Sequence, residues 1–464
     1  MIGVNIWGAD IQNAYLSAPT SEKFWIECGH EFGSELLGKK ALVRRALYGT
    51  KTAGRDFRNH LRDCMRHLGY EPCRADSDMW MRLSKLNNGT EYYEYALLYV
   101  DDCLMVSQNP KEAFAKIGKY FTLKPGSVGE PNLYLGAKVK KMALPNGVNA
   151  WSWSSSKYVQ EAVRNLEIEL SKRGLKLKRG VNAPLSSNYR PEVDMSPECN
   201  DQDAKLYLSL IGILRWMVEL GRVDITCEVS LMSSCAAMPR EGQLAQLFHI
   251  FAYLKNHHNS RLVFDPTYPD VSLDEFPRQN WKEYYDDEKE ELPHSCPRPL
   301  GKEFVIRAYV DADFAGDKLT RRSRTGFIVL LNGAPIYWFS KKQGSCETSS
   351  FGSEFVAMKH CCEYLKGLRI RLRQMGIPVN NPCLIYGDNQ SVLWNTSIPD
   401  SVLKKKTASV AYNYIREGVS MDAWRTKYIK TSENPADLMT KCLPYGLNRK
   451  RKVKAILYDI YEND

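Results

Sequence analysis

The stretch Leu97-Leu98-Tyr99-Val100-Asp101-Asp102-Cys103-Leu104-Met105-Val106 constrains the fold more than any other part of the chain. One apolar run ends on two adjacent carboxylates and a second apolar run leaves them. Apolar runs of this length read as buried strands, and Asp-Asp is turn chemistry, so the stretch predicts a hairpin with both acids at its tip. Two carboxylates placed there suit a divalent cation, because hard cations such as Mg²⁺ take oxygen ligands, usually carboxylates together with substrate phosphates. For the dipeptide alone an ordinary acidic turn is the alternative, and the rest of the chain has to decide.

The stretch Met1 to Asp10 reads as a core strand, which places Asp10 at the end of a buried strand or as a helix N-cap. Asp56 to Leu68 carries Phe57, Leu61, Met65 and Leu68 at helical spacing. Met79 to Leu83 and Tyr92 to Tyr99 flank Asn88-Gly89, a hairpin turn signal. The second of these strands delivers Asp101 and Asp102. Further on, Tyr158 to Leu170 reads as an amphipathic helix, Lys172 to Arg179 as a basic patch, Asn182 to Pro197 as a polar linker, and Ala204 to Leu254 as helical. The proline-bearing, acidic stretch 259–302 reads as a linker and as the clearest domain boundary.

A second organised unit follows it. Phe304 to Val310 is a strand ending at Asp311, with Asp313 and Asp317 close behind. Thr325 to Leu331 and Ala334 to Phe339 are strands joined at Asn332-Gly333. Ser349 to Met375 is a long helix with Glu354 near its start, and Cys383 to Tyr386 is a strand ending at Asp388. Pro435-Ala436-Asp437 opens a last helical turn. Each of these acids has a plain reading as a cap or turn residue. Four of them on four elements match what a two-metal site needs.

The net charge of +10 favours polyanionic partners. The 13 scattered cysteines form no Cys-x-x-Cys pair, which argues against a zinc site or disulfide framework and for a reducing compartment. No signal peptide or membrane-length apolar run occurs, so the sequons at Asn88 and Asn395 are expected to be unused. Gly33 to Lys40 mimics a phosphate-binding P-loop, but Lys40 stands where the metal-holding hydroxyl belongs and no strand leads into it.

The ordered motifs resemble the reverse transcriptase and ribonuclease H region of Copia-type long-terminal-repeat retrotransposon polyproteins. Asp10-x-x-x-Ala14-Tyr15, Leu47-Tyr48-Gly49-x-Lys51, Tyr99-Val100-Asp101-Asp102 and Tyr134-Leu135-Gly136 are similar to the polymerase motifs. Tyr309-Val310-Asp311-Ala312-Asp313, Ser340-Lys341-Lys342-Gln343, Ser353-Glu354-Phe355, Gly387-Asp388-Asn389-Gln390-Ser391 and Asn434-Pro435-Ala436-Asp437 with Thr440-Lys441 resemble the ribonuclease H motifs.

The resemblance implies an α+β chain. Residues 1–180 would be a polymerase palm with a partial thumb, 181–258 a helical thumb or connection, and 259–302 the acidic linker. Residues 303–445 would be an α/β ribonuclease H-like domain and 446–464 a basic C-terminal tail. Asp10, Asp101 and Asp102 would hold two Mg²⁺ ions in one site, and Asp311, Glu354, Asp388 and Asp437 two in the other, with Mn²⁺ able to substitute. Tyr15 would be the steric gate against a ribose 2′-hydroxyl. Lys51 and the Tyr134, Leu135 and Gly136 motif would bind substrate, the latter as primer grip. RNA template, DNA primer, RNA–DNA hybrid and deoxynucleoside triphosphates are the implied partners, with no membrane and no oligomeric state implied. Lys341-Lys342, Lys404-Lys405-Lys406 and Arg449-Lys450-Arg451-Lys452 would contact the hybrid backbone or be solvated faces, and the last doubles as a nuclear-entry signal for a protein of cytoplasmic virus-like particles.

The sequence also departs from the pattern. The first motif comes at residue 10, so the expectation is a fragment without the basic fingers that normally precede it. Thr52 replaces a glutamine, Gly54-Arg55 a Pro-Arg, and Thr407 and Asn413 stand where histidines are usual. The alternative to an active polymerase is a truncated remnant that binds nucleic acid, with only ribonuclease H activity kept.

Overall fold

The computed structural model describes residues 3–403 and 408–461, so Lys404 to Lys406 and Thr407 lie outside the described residues. The fold is α+β. It divides into two compact units, one of Met1–Leu135, Pro293–Lys302 and Ile370–Pro378, the other of Gly136–Leu292, Glu303–Arg369 and Val379–Asp464.

The first unit is built on an antiparallel sheet in the order Asn5–Asp10, Asp102–Ser107, Glu91–Tyr99, Met79–Lys85, Glu71–Pro72. Along Glu91–Tyr99 burial alternates residue by residue, with Tyr92, Glu94, Ala96 and Leu98 inward, as a strand with one covered face requires. Helices Ala53–His67 and Pro110–Ile117 supply that cover. Phe57, Leu61 and Met65 of the first and Phe114 and Ile117 of the second share a core with Trp80, Ala96, Leu98 and Met105. The buried Glu94 carboxylate in this core accepts from Tyr70 Oη at 3.0 Å, Arg82 Nη2 at 2.6 Å and Ser107 Oγ at 2.7 Å. A buried charge is tolerated only when paired and hydrogen-bonded in this way.

The second unit contains a mixed sheet in the order Ala334–Lys342, Arg324–Leu331, Ile306–Asp313, Cys383–Gly387, Trp424–Tyr428. Its first three strands form an antiparallel meander, and the last two join parallel to Ile306–Asp313. The Asn332-Gly333 hairpin forms as the sequence predicts, with Asn332 at φ 53° and Leu331 opposite Ala334. The long helix Ser350–Gln374 buries Phe355, Met358, Cys362 and Leu365. Its Tyr364 stacks on Tyr337 with ring centres 3.9 Å apart.

The same unit holds helices Ser156–Lys172, Asp201–Glu219, Thr226–Ser233 and Glu241–Asn256 around one core that includes Val159, Leu166, Leu214, Met217, Leu247 and Phe251. The helical pattern over 204–254 is thus broken in two places, near Gly221 (φ 98°) and Pro239.

Two stretches differ from their reading as loose, solvated segments. Within the acidic stretch, Phe276 and Trp281 are buried, and Glu290 pairs with the buried Arg369 at 2.7 Å. In the basic C-terminal run, helix Leu447–Lys454 turns Arg449 and Lys452 inward, and Leu457–Tyr458 pairs with Arg261–Phe264. Arg449 donates to Glu228 Oε1 at 3.2 Å and to the Asp224 carbonyl at 2.6 Å. Asp224 is itself in a bidentate pair with Arg222. Apolar anchors and long-range carboxylate partners override local charge here. No helix among the described residues is long and apolar enough to cross a membrane.

Candidate active site

Each unit gathers carboxylates at the end of its sheet. In the first, Asp10 ends one strand and faces Asp102, which opens the neighbouring one, as register partners. Asp101 occupies the second place of the two-residue turn between Glu91–Tyr99 and Asp102–Ser107, so it is the acid at the tip, while Asp102 already belongs to the outgoing strand. Val100, the first turn residue, sits at φ 55°. A β-branched side chain is disfavoured there, and a turn of this kind ordinarily takes glycine at that place. Strain of this sort clusters at functional sites.

Burial, then the charges of Asp101 and Asp10, push the Asp102 carboxyl above the usual range, and a hydrogen bond from the Leu135 backbone N–H opposes them. Asp10 pairs with Lys124 Nζ at 3.2 Å, a partner that sequence reading missed because it lies 114 residues away. Of the other predicted substrate residues, Tyr134 is half-buried, its phenol pushed up to about 12 by burial and then by the charge of Asp102. Leu135 and Gly136 both take positive φ, 48° and 84°. Tyr15 lies 4.6 Å from Tyr48, ring centre to ring centre, and borders a cleft of about 580 Å³ with Phe57, Arg58, Trp80, Tyr99 and Val100. Lys51 is exposed on the turn before helix Ala53–His67.

In the second unit Asp311 lies near the end of the central strand Ile306–Asp313, Glu354 in the first turns of the long helix, and Asp388 directly after strand Cys383–Gly387. These three offer carboxylate oxygens that all lie within 4.8 Å of one another, the metal-competent grouping found among the described residues. Asp311 is buried, accepts from Thr440 Oγ1, and is pushed up to about 6 by burial, against which the Lys441 charge works. Glu354 is raised well above the carboxylate range by burial and by the charges of Asp311 and Asp388. Thr431 Oγ1 donates to Asp388 at 2.8 Å. Three hard oxygen donors that penalise one another's ionisation fit a Mg²⁺- or Mn²⁺-type ion.

Asp437, the fourth predicted acid, is not drawn into this grouping. Its Oδ1 takes the Lys441 ammonium, and its Oδ2 takes Lys452 Nζ at 2.8 Å. Lys441 also reaches Asp311 Oδ2 at 3.3 Å. The Asp437–Lys441 pair was legible as an i, i+4 spacing on a short helix. Lys452 carried no local signal, since it read as one cation of a basic run.

No protein-family model matches the chain. Its relatives are retrotransposon Pol polyproteins. It is 25% identical over 446 residues to the retrovirus-related Pol polyprotein from transposon TNT 1-94 of Nicotiana tabacum, which covers 94% of this chain and 29% of that protein. It is 24% identical over 438 residues to the Pol polyprotein from transposon RE1 of Arabidopsis thaliana, covering 94% of this chain and 26% of that protein. The chain thus spans under a third of those relatives' length. A transposon Ty5-1 protein of Saccharomyces cerevisiae is 22% identical, covering 75% of this chain and 97% of its own. Among solved structures, a foamy viral protease-reverse transcriptase in complex with RNA/DNA hybrid aligns at TM-score 0.27 and 11% identity, over 94% of this chain and 66% of that one. RNase H1 from Halobacterium salinarum aligns at TM-score 0.24 and 14% identity, over 29% of this chain and 94% of that one.

Proposed function

We propose that this homologue of retrotransposon Pol polyproteins is a nucleic-acid-processing enzyme that cleaves the RNA strand of an RNA–DNA hybrid at Asp311, Glu354 and Asp388, and that its first unit serves RNA-directed DNA synthesis. The observation that carries the reading is the three-carboxylate grouping on strand, helix and strand end. Bound there, Mg²⁺ or Mn²⁺ would supply a water of lowered pKa and charge stabilisation for the phosphoryl transfer. Asp311 and Glu354 contribute rigidly placed oxygens, because the strand and helix that carry them are core elements. Thr431 and Thr440 orient Asp388 and Asp311 through their hydroxyl donors.

In the same reading Asp10, Asp101 and Asp102 hold the ions of a polymerase site, Tyr15 excludes the ribose 2′-hydroxyl, Lys51 binds substrate, and Tyr134, Leu135 and Gly136 grip the primer. Residues 1–180 are then palm and partial thumb, 181–258 connection, and 303–445 the ribonuclease H-like domain. Template RNA, primer DNA and deoxynucleoside triphosphates are the partners, in a cytoplasmic particle with later nuclear entry.

The test is a hybrid labelled in its RNA strand. The full chain is expected to cut it with Mg²⁺ or Mn²⁺. Glu354→Gln is expected to lose at least about a hundredfold, since even the outer partners of metal ligands are worth about 10–100-fold. An uncut hybrid, or an active Glu354→Gln variant, would refute the assignment. One observation favours a second reading for the first unit, binding without synthesis: Asp10 is already paired with Lys124. Extension of an annealed primer by the full chain would reject it.

A further inference from the structure

Four carboxylates and two ammonium groups meet at the end of the second unit's sheet, and the two lysines are held differently. Lys452 Nζ is buried and has an acceptor for each of its three protons: the Thr431 carbonyl at 2.8 Å, the Asn434 carbonyl at 2.6 Å and Asp437 Oδ2 at 2.8 Å. It is a fixed part of the fold and neutralises Asp437 permanently. Lys441 is different. Its side chain is 38% exposed, and its charge lies on Asp437 Oδ1 and Asp311, at 3.3 Å from Asp311 Oδ2 and 3.4 Å from Oδ1.

An ion shared by Asp311 and Asp437 would stand where that ammonium stands, and two cations cannot occupy one place. Oxygens of Asp311, Glu354 and Asp388 lie within 4.8 Å of one another, and among the described residues neither Glu354 nor Asp388 is in an ion pair, although the Lys441 charge is felt at Glu354. We infer that Lys441 acts as a built-in counter-cation between Asp311 and Asp437, so that the free protein takes one divalent ion at Asp311, Glu354 and Asp388 and accepts a second only when Lys441 withdraws.

This rests on the reading of these acids as a metal site and adds a positioning residue to it. Withdrawal is within reach of a half-exposed lysine, and a backbone phosphate of a bound hybrid is a chemical partner able to draw it out, since lysine is a common phosphate contact. Completion of the site then depends on substrate. An enzyme so built leaves its second ion position blocked until a polyanion arrives.

The test is Mn²⁺ stoichiometry, measured by electron paramagnetic resonance of the free ion during titration of the full chain without nucleic acid. Asp10→Asn, Asp101→Asn and Asp102→Asn together remove the first unit's acids from the count. In that background the protein is expected to bind one Mn²⁺, Lys441→Arg to bind one, and Lys441→Met to bind two. Should Lys441→Met fail to fold, Lys441→Gln, which keeps a donor for Asp437, replaces it with the same expectation. Two ions with Lys441 in place, or one ion in both neutral variants, would overturn the role of Lys441 while leaving the metal site standing. No ion in any variant would instead overturn the metal site on which the inference rests, and the inference with it.

Discussion

In the first unit three carboxylates stand at strand ends and a hairpin tip, the side chain of Asp10 32% exposed and paired with an exposed lysine. In the second, three carboxylates converge on the buried end of a sheet, where the side chain of Asp311 is 2% exposed. Both use the same parts, an acid at a strand end and acids from neighbouring elements. The difference is what surrounds them. At the first site charge is shared with solvent and with Lys124, and the tension sits in the backbone, at Val100. At the second site none of Asp311, Glu354, Asp388 and Asp437 takes a positive φ, and the tension is electrostatic, held in raised carboxylates, the buried Lys452 and the half-exposed Lys441. Buried ion pairs there are structural, whereas their exposed counterparts are not.

That contrast can be broken in four ways. The largest effect is expected at Arg449, whose removal leaves Glu228 buried with its charge partner gone. Arg449→Met should lower the unfolding free energy by roughly 3–5 kcal/mol, the usual cost of breaking a buried pair by one partner. Urea unfolding measures it, and a loss below about 1 kcal/mol would mean that the basic C-terminal helix is not the anchor inferred. Next comes Val100. Left-handed backbone costs an L-residue roughly 1–2 kcal/mol, so Val100→Asn or Val100→Gly should raise thermal stability of the first unit by a net of about 1 kcal/mol, and a lowered melting temperature would argue against the turn described. A smaller change is expected for Lys124→Ala, under about 1 kcal/mol in the same urea assay, because the pair with Asp10 is exposed and screened. A larger loss would make the two sites more alike than they look.

The smallest effect is acid-linked. Burial works against the Asp317 charge, but Lys342 at 2.8 Å and the Thr320 N–H outweigh it and bring the carboxyl down to about 2. Its folded value lies below its ordinary 3.8, so its contribution is fully present above about pH 4 and is lost as pH falls toward 2. Asp317→Asn should flatten the fall of melting temperature between those values. An unchanged slope would show that this pair carries no linkage.

The elements of both sites were legible because their signals are local. Apolar runs ending in acids, Asn88-Gly89 and Asn332-Gly333 each specify a strand or turn within about ten residues, and the hairpins and strand-end acids follow from them. What sequence could not supply was long-range. Lys452 on Asp437 and Arg449 on Glu228 come from a run that reads as a solvated basic tail, and packing of Val453, Ile456 and Leu457 into the body turns it inward. The acidic stretch is likewise fastened by Phe276 and Trp281 rather than by any pattern of its charges. Asp437 itself was found by its place in a motif, but its two ammonium partners decide what it can hold. Asn413, read as a departure from a usual histidine, is exposed on helix Ser409–Ser420.

Under the proposed function, the buried acid grouping, and not the open one, cleaves the hybrid. The direct test compares Asp311→Asn with Asp102→Asn in the full chain, both assayed for Mg²⁺-dependent cutting of the RNA strand under one set of conditions. Asp311→Asn is expected to lose at least about a hundredfold, and Asp102→Asn to cut like the unaltered chain. Equal losses in the two variants, or cleavage that survives Asp311→Asn, would contradict that reading.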